Sequence, residues 1–279
     1  MAITNSRWSE SGVWTAVFRS LPIYWSRNSR RAALFGIVIS FLSPVMGEEV
    51  RMPSYSLEFA KEAMNALEKA RFATVGSTNQ TASALKLGKA CFWAGEFASN
   101  STQRAELAEE GIAVCRQILA VQPASAEGHY YLAMNLGQLA RTKLLGALPL
   151  VRDMDRSLKH AAAASPALDY AGPDRCLGLL YRDAPGWPIS VGSRSKAKRH
   201  LLNAFARAPD YPENILNLVQ TWIEWRDKDS LRRDLNAGEA VLKKAATIFT
   251  GPEWVPHWDT WNRQWSTLKA KGDRILKNR

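Results

Sequence analysis

The segment KAKRHLLNAFARAP, residues 196–209, decides the fold. Ala197, Leu201 and Ala204 are spaced by four and three, which puts them on one helical face, and Pro209 ends the run five residues later. Proline lacks the amide proton and cannot continue a helix, so it stands naturally just past a helix end. The same grammar recurs. Pro123, Pro166, Pro209 and Pro252 lie 43 residues apart, and each closes an apolar stripe that reads as an amphipathic helix. A period of this size marks an array of helical repeats. One pair of short helices cannot bury its apolar face alone, so successive pairs must stack and share a core.

The partner helix of each unit carries an apolar-then-small pair: Leu87-Gly88, Leu132-Ala133, Leu177-Gly178 and Leu218-Val219, spaced by 45, 45 and 41 residues. Small side chains at these positions let two helices cross closely. Asn79–Phe97 reads as the opening of the first full pair. Met52–Ala70 reads as a lead-in helix with Leu57, Ala60, Met64 and Leu67 on one face. No valine- and isoleucine-rich alternation suggests strands, and no low-complexity linker divides the chain. The expected fold is all-α: a helical-hairpin solenoid of about four repeats with a C-terminal capping helix, forming one domain over residues 48–279.

His129, Leu132, Ala133 and Leu136, and again Leu177, Gly178 and Tyr181, follow a bulky residue, Leu-small, aromatic-or-bulky pattern. In this the chain resembles the tetratricopeptide (TPR) family, whose unit is two antiparallel helices. It departs in length. TPR units run about 34 residues, and the extra residues are expected in loops between the two helices of a unit. The longest such loop lies in the run from Arg175 to Ala197, which includes Ala184-Pro-Gly-Trp-Pro188 and leads through the helix ending at Pro209 to Tyr211-Pro-Glu-Asn214. This ordered string resembles the T component of TPR-associated TRAP (tripartite ATP-independent periplasmic) transporters and, more distantly, the eukaryotic regulators of microtubule dynamics. It covers about forty residues; the rest of the chain is similar only in repeat pattern. The resemblance implies a non-enzymatic accessory subunit that associates with a periplasmic solute-binding protein and a small hydrophobic ligand.

Arg27, Arg30 and Arg31 precede an apolar run from Ala32 to Met46, followed by Gly47. The order basic, apolar, small is that of a signal peptide, and the run is shorter than the ~20 residues of a membrane span. Residues 1–47 therefore read as a signal peptide, with an uncleaved membrane anchor as the alternative. Export places the chain in the periplasm or cell envelope. No cysteine follows the apolar run, so no bacterial lipid anchor is indicated, a departure from many T components.

The net charge is +11. Residues 1–47 hold five arginines and one glutamate, which leaves +7 for the rest. The cations cluster at Arg194, Lys196, Lys198 and Arg199 and in the tail from Lys269 to Arg279. A solvated face, an anionic lipid surface or an acidic partner all fit this pattern. No nucleic-acid-binding motif is present. Cys91 and Cys115 fall on the two helices of the first pair, where a disulfide and two small core thiols are both open readings; Cys176 is left over.

No nucleophile elbow, zincin motif, dinucleotide fingerprint or Walker loop occurs, and the four histidines show no metal-ligand spacing, so neither an enzyme nor a cofactor or metal is expected. The aromatic residues are the candidate contacts. Trp254, Trp258, Trp261 and Trp265 recur at four, three and four, which places them on one stripe above Leu268, with Pro256 in the first turn. Such a stripe either packs the terminal helix on the last repeat or lines an apolar pocket. Trp222 and Trp225 belong to a neighbouring helix, and Trp187 is held between Gly186 and Pro188 in the long loop. Tyr181, Trp187 and Arg194 are the expected contact residues, with Trp222, Trp225, Trp258, Trp261 and Trp265 as lining. The alternative function is a general envelope scaffold for protein–protein interaction, unrelated to transport; homo-oligomers suit either reading.

Overall fold

The computed structural model describes residues 54–75, 79–143 and 146–277. The N-terminal segment read as a signal peptide or anchor lies outside them. Among the described residues ten α-helices follow one another: α1 (Ser54–Thr74), α2 (Gln80–Glu96), α3 (Ser101–Val121), α4 (Ala126–Arg141), α5 (Leu148–Ala164), α6 (Leu168–Asp183), α7 (Arg194–Arg207), α8 (Pro212–Trp225), α9 (Lys228–Ile248) and, after a 3-10 turn at Pro252–Trp254, α10 (Val255–Lys277). The described residues form no strand, only an isolated bridge between Gly186 and Gly192. The fold is all-α, as expected from the sequence.

Local chemistry sets the helix ends. Asn79, Asn100, Ser125, Ser193 and Asp227 each accept a hydrogen bond from a backbone N–H in the first turn, satisfying a donor that the helix cannot. The exits are equally regular. Gln122, Ser165 and Ala208 have left helical geometry (φ −128, −148 and −134°), yet each N–H still bonds the carbonyl four residues back. The next residue is Pro123, Pro166 or Pro209, so the 43-residue period seen in sequence is a period of helix stops. The fourth exit, Phe249, repeats the bond to Ala245 but meets its proline, Pro252, three residues later.

Each helix packs on the next, and α2, α4, α6 and α8 also touch their counterparts one hairpin on, as α8 does α10. The small residues lie at these crossings. A Cβ on Gly88 would stand 2.8 Å from Cys115 Sγ, and one on Gly178 2.6 Å from Leu201 Cγ. Leu87, Leu132, Leu177 and Leu218 are all buried beside them. Cys91, Cys115 and Cys176 are free, buried thiols, so the first pair is held by packing and not by a disulfide. In α1, Ala63, Leu67 and Ala70 face inward; the Leu57 side chain lies outside the description.

One expectation changes. The length beyond a 34-residue unit does not all fall in loops: the connections at 97–100, 142–147 and 226–227 are short, and α3 and α9 each run 21 residues. Among the connections between described helices, only 184–193 is long. The reason is local: α3 and α9 contain no proline, and each has an asparagine or aspartate cap at its start.

Candidate interaction surface

The loop 184–193 leaves α6 and returns to α7 through its own hydrogen bonds. Gly192 N–H donates to Pro185 O at 2.8 Å, Ser193 N–H to Tyr181 O at 2.8 Å, and Ile189 N–H to Gly186 O at 3.1 Å. A side chain at position 192 would place its Cβ 2.0 Å from Ala184 O, so the neck of the loop demands glycine there. Trp187 stands out of this closed loop with 89% of its surface exposed, and Ile189 with 50%. A large aromatic held away from any core on an ordered loop keeps its apolar surface in water, because folding has not buried it.

α7 begins at the neck of this loop. Its residues include Arg194, Lys196, Lys198, Arg199 and Arg207 and no carboxylate. Three of these cations lie on aromatic faces. Arg194 covers the Trp225 ring at 4.7 Å, Lys198 covers Trp222 at 5.3 Å, and Lys196 covers Tyr181 at 5.3 Å. Trp222 and Trp225 meet edge to face at 5.7 Å, and Trp222 Nε1 donates to Asp234 at 2.6 Å. The Tyr181 hydroxyl donates to Asp155; burial first, then that bond, pushes its pKa well up. Four of the expected residues, Tyr181, Arg194, Trp222 and Trp225, are thus brought together beside the Trp187 loop. Tyr181 and Trp222 are enclosed, so they form the bed on which the cations rest, and Arg194 and Trp225 offer the surface.

The other tryptophans gather elsewhere. Trp261 is fully enclosed among Tyr211, Phe249, Trp254 and Trp258, and Trp265 packs on Gly238. Trp254 belongs to the 3-10 turn and not to α10, though its ring still reaches Trp261 at 5.8 Å. Of the stripe, Trp258 lines open space: a shallow groove of ≈ 600 Å³ with Leu242, Phe249 and Val255, where its Nε1 donates to Phe249 O at 2.7 Å. Trp261 and Trp265 are closed in by their helices, the ordinary result of a helical stripe of large apolar rings.

Sequence reasoning missed the most unusual interior feature. Arg175 on α6 is completely enclosed. Its guanidinium donates to Asp169 Oδ2 at 2.9 Å, Tyr170 O at 3.0 Å and Asn214 Oδ1 at 3.3 Å, and lies over the Tyr211 ring at 5.0 Å. Glu213 Oε2 approaches its Nε to 3.5 Å, and the Tyr130 hydroxyl donates to Asp169. Arg175 and Tyr211–Asn214 bound the ordered string, but nothing in a helical period separates a buried arginine from a solvated one. Among the described residues no group of three histidine, cysteine or acidic side chains could hold a metal ion.

No protein-family model matches the chain, and no curated protein matches it.

Proposed function

We propose that this chain is an exported, non-enzymatic helical-repeat protein of the TPR type, acting as a T-component-like accessory of a TRAP-type uptake system. It associates with a solute-binding protein through the Trp187 loop and the cationic face of α7, and takes a small hydrophobic ligand in the groove beside Trp258. The observation that carries the reading is Trp187, which the loop holds in water at the edge of a carboxylate-free cationic helix. Tryptophan and arginine are the residues on which protein interfaces most often depend. The 43-residue recurrence of helix stops and the glycine crossings support the repeat assignment.

Purification of the tagged chain from its own host's envelope, followed by native mass spectrometry, tests the assignment. A co-purifying solute-binding protein supports it; a chain that emerges empty and alone sinks the transport reading and leaves an interaction scaffold. With a partner in hand, Trp187→Ala should weaken binding by about tenfold or more. Stability should stay within about 0.5 kcal/mol, because the ring makes no buried contact. An equal loss of stability would show that Trp187 serves the fold.

A further inference from the structure

A second feature lies away from the Trp187 loop, in the cleft where α3, α4 and α5 meet. It encloses ≈ 240 Å³ above a floor of Leu132 and Leu136. Its walls carry Arg116, His129, Arg156 and His160, with Asp153 the one carboxylate among the lining residues. Arg156 reaches Asp153 only at 3.6 Å, with 72% of its side chain in solvent, so this pair neutralises little. Arg116 pairs with no carboxylate among the described residues. Cations gathered around a concave, partly apolar surface focus a positive potential into it.

The histidines are arranged with care. The two rings stack, centroids 4.7 Å apart and 16° from parallel. His129 Nε2 meets Pro123 O at 2.8 Å. A carbonyl only accepts, so the proton sits on Nε2 and the ring is pinned to the turn that ends α3. Nδ1 is enclosed and has no partner. Parallel rings cannot aim two lone pairs at one metal ion, which argues against a metal site. The lining residues sit on the flanks of helices whose backbone N–H groups are already bonded, so no amide cradle for a phosphate exists. What remains is a guanidinium fork, imidazole edges and a leucine floor. The fork matches a carboxylate, and the floor matches a hydrocarbon body. The volume lies below the ~300 Å³ at which drug-sized pockets begin, so the occupant is small.

We propose that this cleft binds a small organic monocarboxylate, with Arg116 taking the carboxylate and the apolar body lying on Leu132 and Leu136 against the stacked imidazoles. The site shares no lining residue with the proposed partner surface and needs neither the repeat family nor transport.

Benzoate is the probe. It is titrated into the full chain and followed through the histidine ring resonances and by calorimetry, beside benzamide as the neutral isostere and inorganic phosphate as the bare anion. One saturable site is expected, with benzamide about tenfold weaker or worse. Arg116→Gln should weaken benzoate by a similar factor of about ten without moving the melting temperature, because Arg116 is exposed. Burial, opposed by the Pro123 bond, holds His129 below its usual range, with His160 adding to the effect. A bound anion favours its protonated form, so binding should tighten as the pH falls below the ordinary histidine value, 6.5. Benzamide binding as well as benzoate would reduce the cleft to an apolar hole. Phosphate binding as well, with the same response to Arg116→Gln, would remove the need for an organic body. Benzoate binding that ignores Arg116→Gln, or no saturable response, would overturn the site outright.

Discussion

Glu213 is an acid held where an acid is uncomfortable. Burial pushes its carboxyl up to about 8; Arg175 opposes the shift without cancelling it, and Asp169 reinforces it. Neither carboxyl oxygen has a well-aligned hydrogen bond, and the nearby Trp261 and Tyr211 side chains only partly oppose the shift. Arg175 is committed instead to Asp169 and to the carbonyls of Asp169 and Tyr170. Those bonds fix an uncommon turn, since Asp169, Tyr170 and Ala171 all have positive φ (48, 51 and 64°). Left-handed geometry costs ~1–2 kcal/mol per residue outside glycine, and the enclosed guanidinium is what the turn wraps around. The sign of the pH effect follows. Below the ordinary glutamate value, 4.5, Glu213 is protonated both folded and unfolded. As the pH rises from there towards about 8, the unfolded chain ionises while the folded one does not, so stability falls through that window and then levels. Glu213→Gln, neutral at every pH, should remove that part of the slope. Urea midpoints for the two proteins across the window check it; parallel pH profiles would show that Glu213 ionises normally in the fold.

At the scale of the element, Gly178 tests how α6 and α7 meet. Alanine is the better helix former by ~1 kcal/mol, yet its Cβ would stand 2.6 Å from Leu201 Cγ and 3.0 Å from the Leu201 backbone nitrogen. The backbone contact cannot be relieved by a side-chain turn, so overpacking of about 1–3 kcal/mol outweighs the propensity gain. Gly178→Ala should therefore destabilise. Gly186→Ala, whose Cβ would meet nothing closer than Gly192 O at 3.7 Å, should change stability little. Denaturant unfolding of the pair decides; a neutral Gly178→Ala would mean that α6 and α7 are further apart. These crossings could be read from Leu177-Gly178 and Leu87-Gly88, and the first hairpin's start from Asn79, because a small residue or a cap acts locally. The burial of Trp261 and Trp265 along α10 was half legible: the 3.6 period gives the face, but whether a face meets ligand or protein depends on Phe249 and Tyr211 from other elements. The Arg175 cluster was not legible, since its members come from α4, α6 and α8 and no spacing joins them.

Across the whole molecule, contacts run from each helix to its next neighbours, so stability is distributed along the chain instead of gathered at one centre. The distribution is uneven. Leu67, Ala70, Leu87, Ala90, Cys91, Ala94 and Leu107 form a small apolar cluster of their own at the α1–α3 end, apart from the large cluster that runs from α2 to α10. α1 adds to its few buried residues a half-exposed ion pair, Arg71 with Glu110 at 2.6 Å, worth at most about 1 kcal/mol. By contrast, α6 and α8 bury Leu177, Leu179, Leu180, Ile215, Leu216, Leu218 and Trp222 together with the Arg175 network. Opening α1 exposes little of this, whereas opening α6 or α8 breaks both neighbours' packing and strands a buried charge. Hydrogen exchange should therefore resolve at least two levels. Amides of α1 should exchange through a partial opening more than ~1 kcal/mol below global unfolding, and those of α6 and α8 only through the global event. Equal protection in α1 and α8 would mean that the small cluster is no weaker than the large one and that the chain opens as a single unit.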